Sequence, residues 1–489
     1  MERITTNLQA PATQLLSDKG WARWTVLVLV ASMMLFAYMF VDVMSPLQSL
    51  IQTQRGWSPD AFGYYAGAEY ILNVFGFLIL AGIILDKMGV RFTGSLSASM
   101  MVAGAFIKLY AISDLFTGTP LDTWLSSWWT VMPGSAKLAA LGFMIFGCGC
   151  EMAGITVSKT LAKWFEGKEM ALAMGLEMAI ARIGVFAIFS ISPRLADWGG
   201  TPSVVVPVAF CSALLCIGLL CYIVFTFMDS KLDREVAALP SSQKKAVEAE
   251  EAANDEEFHL SDVAGIFSSK LFWVIALLCV LYYSAIFPFQ RYAANMLQCN
   301  LGVTDTQASD IFRWFPIGAA VLTPLLGWFL DNKGKGATML ILGAILMIVC
   351  HLTFAFVVPA TKSELITYSA IVILGISFSL VPAALWPSVP KVMDKRFLGS
   401  AYSLIFWVQN IGLAFVPIII GKVITASNPG ITDPLKYDYT IPMCVFASLG
   451  VLALIFGIVL KAMNARHHYG LEDPNIKKDF EEVRLDGEA

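Results

Sequence analysis

Charge is what this chain has least of. Aspartate, glutamate, lysine and arginine make up 14% of its 489 residues, where a soluble domain carries about 25%, so a conventional water-facing surface cannot be assembled. Histidine is scarcer still: of four, His259, His467 and His468 fall outside the apolar runs. No Ser/His/Asp or Cys/His arrangement follows, and enzyme activity is not expected. The absence of a GxxxxGK(S/T) run excludes a P-loop nucleotide engine, and the glycines of Gly147-Cys-Gly149-Cys-Glu-Met-Ala-Gly154 miss the dinucleotide spacing and follow no strand. Nine cysteines are an odd number, and no CxxC pair has a second pair or a histidine pair to complete a metal site. Eight of them sit in apolar runs and read as small buried hydrophobes. No metal and no cofactor are expected. A net charge of −4 is too small to suggest a nucleic-acid partner.

What is present is apolar. At 57% of the chain, and about 20 residues per bilayer-crossing helix, some twelve crossings fit with little left over. Windows of that length fall near residues 24–48, 62–86, 92–113, 137–161, 171–192 and 204–228, then 270–296, 308–331, 336–358, 365–392, 398–424 and 439–462. The expectation is an all-α membrane protein with twelve transmembrane helices in two pseudo-symmetric six-helix bundles, residues 24–228 and 270–462. Residues 1–23 and 463–489 are tails, and 229–269 a linker whose SSQKKAVEAEEAANDEE run reads as solvated. The first apolar run, Trp24 to Val41, lacks a short signal-peptide core and reads as helix 1.

If the N-terminus is cytoplasmic, the inner loops hold ten bases (Lys87, Arg91, Lys159, Lys163, Lys168, Lys333, Lys335, Lys391, Lys395, Arg396). The opposite loops then hold five (Arg55, Lys137, Arg194, Lys362, Lys436). That bias places both termini and the linker in the cytoplasm.

A phrase recurs. Gly82-Ile-Ile-Leu-Asp86-Lys87-Met-Gly89-Val-Arg91 lies between helices 2 and 3, and Gly327-Trp-Phe-Leu-Asp331-Asn-Lys333-Gly334 lies 245 residues on, between helices 8 and 9. Each sets a small residue on a last turn, where another helix can approach, beside an acid and bases able to lock one face shut. The second copy has Asn332 where a base is usual, so a weaker gate is expected. The repeat resembles the major facilitator superfamily, whose halves rock about a central site.

Ionisable groups at mid-bilayer cost about 2.5–3.5 kcal/mol on insertion scales, so each requires a reason. Glu151 on helix 4 and Arg182 on helix 5 lie some 14 residues before and about 16 after the turn that joins them, hence at similar depth. They could pair with each other, or each could hold one end of a zwitterion. Asp42 and Glu69 read as further ligands of an ammonium, proton carriers, outer-gate partners or vestibule residues. Lys108, Arg291, Asp310 and Arg313 lie near predicted helix ends and read as snorkelling side chains. His351 reads as a buried helix contact.

More specific blocks follow: Lys163-Trp-Phe-Glu-Gly-Lys-Glu169, Met174-Gly-Leu176, Ala181-Arg182-Ile-Gly184, Cys279-Val-Leu-Tyr282-Tyr283-Ser-Ala-Ile-Phe287-Pro-Phe289, Ala384-Leu-Trp386-Pro387, Gly399-Ser-Ala-Tyr402 and Gln409-Asn410-Ile-Gly-Leu-Ala414. Spread over both halves, they resemble the lysosomal dipeptide uniporter branch of that superfamily and its bacterial relatives. The resemblance implies a dipeptide carrier in which Glu151 faces the peptide amine and Arg182 the carboxylate, with Asp42 and Tyr402 near the same cavity. An extended dipeptide spans about 7 Å, so two fixed charges can measure its length. Tyr70, Tyr282, Tyr283, Trp386, Tyr402 and Asn410 are candidate wall residues. The lysosomal members act with a glycosylated partner and carry sorting signals, whereas no acidic dileucine signal and no N-x-(S/T) sequon occur here. A plasma or bacterial inner membrane, without an obligatory protein partner, is therefore expected. The rival readings are a proton-coupled organic-anion or drug carrier, in which Arg182 alone binds substrate, and a non-transporting receptor.

Overall fold

The computed structural model describes residues 15–165, 167–239, 263–393 and 398–474. The SSQKKAVEAEEAANDEE run, Lys395 and Arg396 lie outside these residues. Long helices dominate because a backbone in hydrocarbon must satisfy its own hydrogen bonds. Among the described residues eleven helices are long and apolar enough to cross a membrane. In the first half these are α1 (Gly20–Arg55), α3 (Phe77–Ile112), α5 (Gly134–Phe165), α6 (Met170–Ala196) and α7 (Val205–Ala237), with the shorter α2 (Pro59–Val74) and α4 (Pro120–Ser127) between them. After α8 (Val263–Ser268) come α9 (Lys270–Leu301), α10 (Asp305–Lys333), α11 (Gly336–Thr361), α12 (Glu364–Val392), α13 (Leu398–Ser427) and α14 (Thr440–His467).

The twelfth crossing is composite. Helix α2 opens on a Ser58 cap bonded to the Ala61 amide, with Pro59 at its first turn, and stops where Gly76 takes φ 95°. The chain continues helically from Phe77 to the bend at Gly89 (φ 73°, ψ 172°), where α3 turns back across the membrane. Only glycine takes those dihedrals without strain, so the Gly89 of the repeated phrase is the hinge of that return.

The linker expected from residue 229 begins later. Helix α7 runs to Ala237, and Asp229 is 1% exposed, tied to Lys163 at 3.0 Å and to the Trp164 indole at 2.9 Å. On the same face the N-terminal segment is knitted down. Lys168 reaches Asp18 at 2.8 Å, Arg23 reaches Glu169 at 3.2 Å, and the Leu16 amide donates to Glu235 at 2.6 Å. Residues 470–474 pack on the α10–α11 turn. Both described ends thus lie on one face, here called the terminal face, opposite the far face.

The halves meet along α2 against α13, α6 against α10, and the far end of α1 against α9. Gly63 and Gly67 make the first contact possible: an added Cβ would lie 2.5 Å from the Pro417 carbonyl or 2.1 Å from that of Ala414, and at Gly421 it would meet Pro59 O at 2.4 Å.

Candidate functional site

The two halves meet around Arg182, and the two sides of that meeting differ in chemistry. On the C-terminal half, Phe287 of α9 is 5.6 Å from Phe378 of α12. Tyr283 packs on both rings at 5.5 and 5.9 Å, and its hydroxyl accepts from the Trp386 indole at 3.3 Å. Trp386 stacks on Phe406 at 4.8 Å, and the Tyr402 hydroxyl donates to the Trp386 carbonyl at 3.4 Å. The N-terminal half brings charge. Arg182 of α6 places its guanidinium 5.5 Å from both the Phe287 and Phe378 rings, a cation–π arrangement.

Glu151 of α5 is half-buried, as are Arg182, Tyr38 and Tyr70. Among the described residues Glu151 and Arg182 do not pair with each other, and neither makes an ion pair or hydrogen bond through its side chain with another residue. Tyr38 of α1 lies in Coulomb range of both. Glu177, 8% exposed on α6, is in range of Arg182; nothing in the sequence singled it out. The site therefore offers a cation on aromatic faces, a separate carboxylate, and hydroxyls between.

Tyr282 belongs elsewhere. It is fully buried and its hydroxyl donates to the Leu340 carbonyl of α11. Adjacent helical residues point about 100° apart, so Tyr283 joins the Phe287–Phe378–Trp386 cluster and Tyr282 faces the bundle interior. Asn410 is 2% exposed and its amide donates back to the Phe406 carbonyl at 3.0 Å, leaving its oxygen without a hydrogen bond.

Asp42 and Glu69 are locked into a seal toward the far face. Arg291 of α9 bridges them, to Asp42 at 3.1 Å and to Glu69 at 2.5 Å, and also donates to the Val41 carbonyl. Gln290 and Ser45 complete the Asp42 carboxylate at 2.6 and 3.1 Å. Asp42, Glu69 and Arg291 are 1%, 3% and 7% exposed. Arg291 thus does not snorkel: α9 runs on to Leu301, ten residues further, and the guanidinium is spent joining the halves. Lys108 is likewise fully buried, clasped by the Phe40, Phe143 and Tyr65 rings. Nearer the far surface Arg194 pairs with Asp310 at 2.7 Å, Arg313 with Asp310 at 2.9 Å, and Ser49 with Gln298 at 3.1 Å. His351 packs between Phe289 and Phe446 with no exposure.

The described contacts between the halves run from the level of Arg182 and of Trp407, whose indole donates to the Val74 carbonyl at 2.8 Å, to the far face. At the terminal face each repeated phrase is organised within its own half. Asp86 meets Lys159 at 2.9 Å; Arg91 meets Asp233 at 3.0 Å and shares Asp229 with Lys163. Lys87 and Lys333 are exposed. Asp331 is half-buried in the α10–α11 turn, where Gly334 (φ 70°) fits under the tail. A Cβ there would meet Glu472 O at 2.3 Å. Glu472 also caps α11 through the Thr338 amide at 2.8 Å, and Lys391 grips the Gly470 and Asp473 carbonyls at 3.0 Å each. This C-terminal strap, unannounced in the sequence, stands beside the position where Asn332 replaces the usual base.

The first glycine of each phrase is unused in this state. Nothing lies within 4 Å of a Cβ added at Gly82 or Gly327, in contrast to Gly63 and Gly67 on the sealed side. Gly67→Ala is therefore expected to destabilise the protein by about 1–3 kcal/mol through overpacking, and Gly82→Ala to stay within about 0.5 kcal/mol. Melting curves of the two variants in detergent check this, and equal melting temperatures would remove the asymmetry argument.

The family model described as Major Facilitator Superfamily matches residues 26–417, and again residues 292–482. The human lysosomal dipeptide transporter MFSD1 is 25% identical over 459 residues, covering 91% of this chain and 88% of that protein. The zebrafish (Danio rerio) protein of the same name is 26% identical over 419 residues, covering 82% and 80%. Among solved structures, that of the nucleoside transporter NupG superposes with a TM-score of 0.67 at 14% identity, covering 90% of this chain and 98% of that one; it shows the fold alone. With a family match over most of its length and the twelve-crossing, two-bundle architecture, this chain belongs to the Major Facilitator Superfamily.

Proposed function

We propose that this protein is a dipeptide uniporter that works by alternating access, with Glu151 taking the peptide ammonium and Arg182 its carboxylate. The observation that carries the reading is Arg182: a guanidinium half-buried against Phe287 and Phe378 and, among the described residues, free of any carboxylate at ion-pair distance, with an equally unpaired Glu151 in range of the same Tyr38. A group desolvated that far and left without a partner is stabilised when a ligand supplies one. The aromatic wall of Tyr283, Phe287, Phe378 and Trp386 accepts varied side chains by area rather than by hydrogen bonding, which fits a carrier selective for length and tolerant of sequence. The relatives' name, lysosomal dipeptide transporter, supports the same substrate class.

In this reading the terminal face is cytoplasmic, as the ten-to-five excess of basic loop residues suggests, and the structure represents the inward-open state. The lack of sequons and of an acidic dileucine signal supports a cell membrane, bacterial inner membrane included, and a carrier without an obligatory protein partner. The test is thermal stability in detergent against dipeptides, tripeptides, free amino acids and dipeptides blocked at either end. Stabilisation by free dipeptides that disappears on N-acetylation or C-amidation is the expected result. Stabilisation by any carboxylate regardless of a free amine would replace the reading with an organic-anion carrier.

A further inference from the structure

The far-face seal contains a cation that takes no part in it. Lys108 of α3 is 0% exposed, and among the described residues its ammonium has no hydrogen-bond acceptor and is held by ring faces alone, 4.1 Å from the Phe40 centroid, 4.7 Å from Phe143 and 5.2 Å from Tyr65. Its stem cannot swing to water, because α3 and α5 touch backbone to backbone beside it. A Cβ on Gly142 would lie 2.6 Å from Gly104 O and 2.8 Å from the Lys108 amide nitrogen. An ammonium buried without an acceptor is costly, and three cation–π contacts offset that cost only in part.

Its neighbours indicate what it is for. Phe143 carries Lys108 at 4.7 Å and Arg291 at 5.6 Å from its centroid, so the two cations flank one ring. Lys108 is also in Coulomb range of Glu69 and Asp42. The cluster thus holds two acids and two bases, yet both acids are bonded to Arg291 and neither to Lys108. Three of the four members, Asp42, Glu69 and Lys108, sit on the N-terminal half; Arg291 alone belongs to the other. When the halves part at this face, Arg291 leaves with α9, and two carboxylates that are 1% and 3% exposed lose their counter-charge together.

We propose that Lys108 is the resident counter-charge of this seal: as Arg291 withdraws, the Lys108 ammonium leaves its aromatic cage and pairs with Glu69 and Asp42, so that opening exchanges one cation for another. This rests on the alternating-access reading above. It makes Lys108 a positioning residue that sets how readily the far face opens and that does not touch the substrate at the Glu151–Arg182 site.

The experiment uses full-length protein in proteoliposomes carrying Gln48→Cys, a far-face position 2% exposed in the sealed state, and follows its labelling by a membrane-impermeant maleimide added on the far side. Parent protein lacking Gln48→Cys gives the background. Lys108→Met is expected to slow labelling roughly tenfold to a hundredfold, because opening then leaves uncompensated buried charge. Lys108→Arg should keep it near the parent rate. Glu69→Gln should raise labelling more in Lys108→Met than in the Gln48→Cys parent, where it only loosens the Arg291 bond; that excess rescue, from removing one of the two negative charges, is one that a merely structural lysine would not show. That rescue also reads out if Lys108→Met alone folds poorly, since the double variant then recovers both melting temperature and labelling. Labelling that is present in the parent and unchanged in folded Lys108→Met overturns the cation exchange while leaving alternating access intact. A Gln48→Cys parent that never labels overturns both.

Discussion

Arg182→Ala and Glu151→Gln are each expected to depress dipeptide uptake into proteoliposomes by about thirty-fold to several thousandfold, the range that corresponds to ~2–5 kcal/mol for losing one partner of a desolvated charge pair. Melting temperatures should stay close to the parent value. The two halves of that expectation come from one feature: neither side chain has an ion-pair partner among the described residues, so removing it strands no opposite charge. Had the two formed a structural pair between α5 and α6, either substitution would have left a bare charge in the membrane and lowered stability. Arg182→Lys should recover little, because an ammonium lacks the planar fork that grips a carboxylate. The assignment of ends can be read separately. Arg182→Ala should become indifferent to amidation of the peptide carboxylate, and Glu151→Gln to acetylation of its amine. Normal uptake by either variant would remove the clamp, and a collapse in melting temperature would turn the residues into structural ones.

The composition and the recurring phrase made the twelve crossings legible, because apolar length and loop punctuation are local signals. Their ends were less so. The apolar window closed α9 at residue 296, which put Arg291 near an interface, whereas the helix reaches Leu301 and leaves Arg291 deep in the seal. Its partners Asp42 and Glu69 stand 249 and 222 residues away in the chain, a distance over which periodicity carries no information. Lys108 misled for a related reason: four residues from the end of α3 it could snorkel, except that the Gly104–Gly142 contact closes the route. Glu151 and Arg182 stood out as charges in apolar runs, but whether they paired was undecidable from depth alone. At Tyr282 and Tyr283 two adjacent tyrosines were equally plausible wall residues; helix rotation admits one, and only the packing against Leu340 shows which. The strap through Glu472 could not be foreseen, since it lies in a polar tail and acts through backbone contacts with Gly334 and Gly336.

Arg291→Met is expected to be the most damaging single change to the resting structure. It removes the one group that touches both acids of the seal, at 3.1 and 2.5 Å, and leaves Asp42 and Glu69 buried. Breaking a buried pair from one side costs about 3–5 kcal/mol, whereas replacing all its members by well-packed hydrophobic groups of similar volume is often near neutral. The triple variant Asp42→Leu, Glu69→Met, Arg291→Met should therefore melt close to the parent, and Arg291→Met alone well below it. Two competing outcomes remain readable in the same melting series. If the single variant melts like the parent, the seal is held by the apolar contact of α2 with α13 through Gly63 and Gly67, and the ion network adds nothing. If Lys108 moves in when Arg291 is absent, the loss in Arg291→Met is cushioned, and the double variant Lys108→Met, Arg291→Met falls further than the two separate losses added together. That excess measures the coupling between the two cations that flank Phe143.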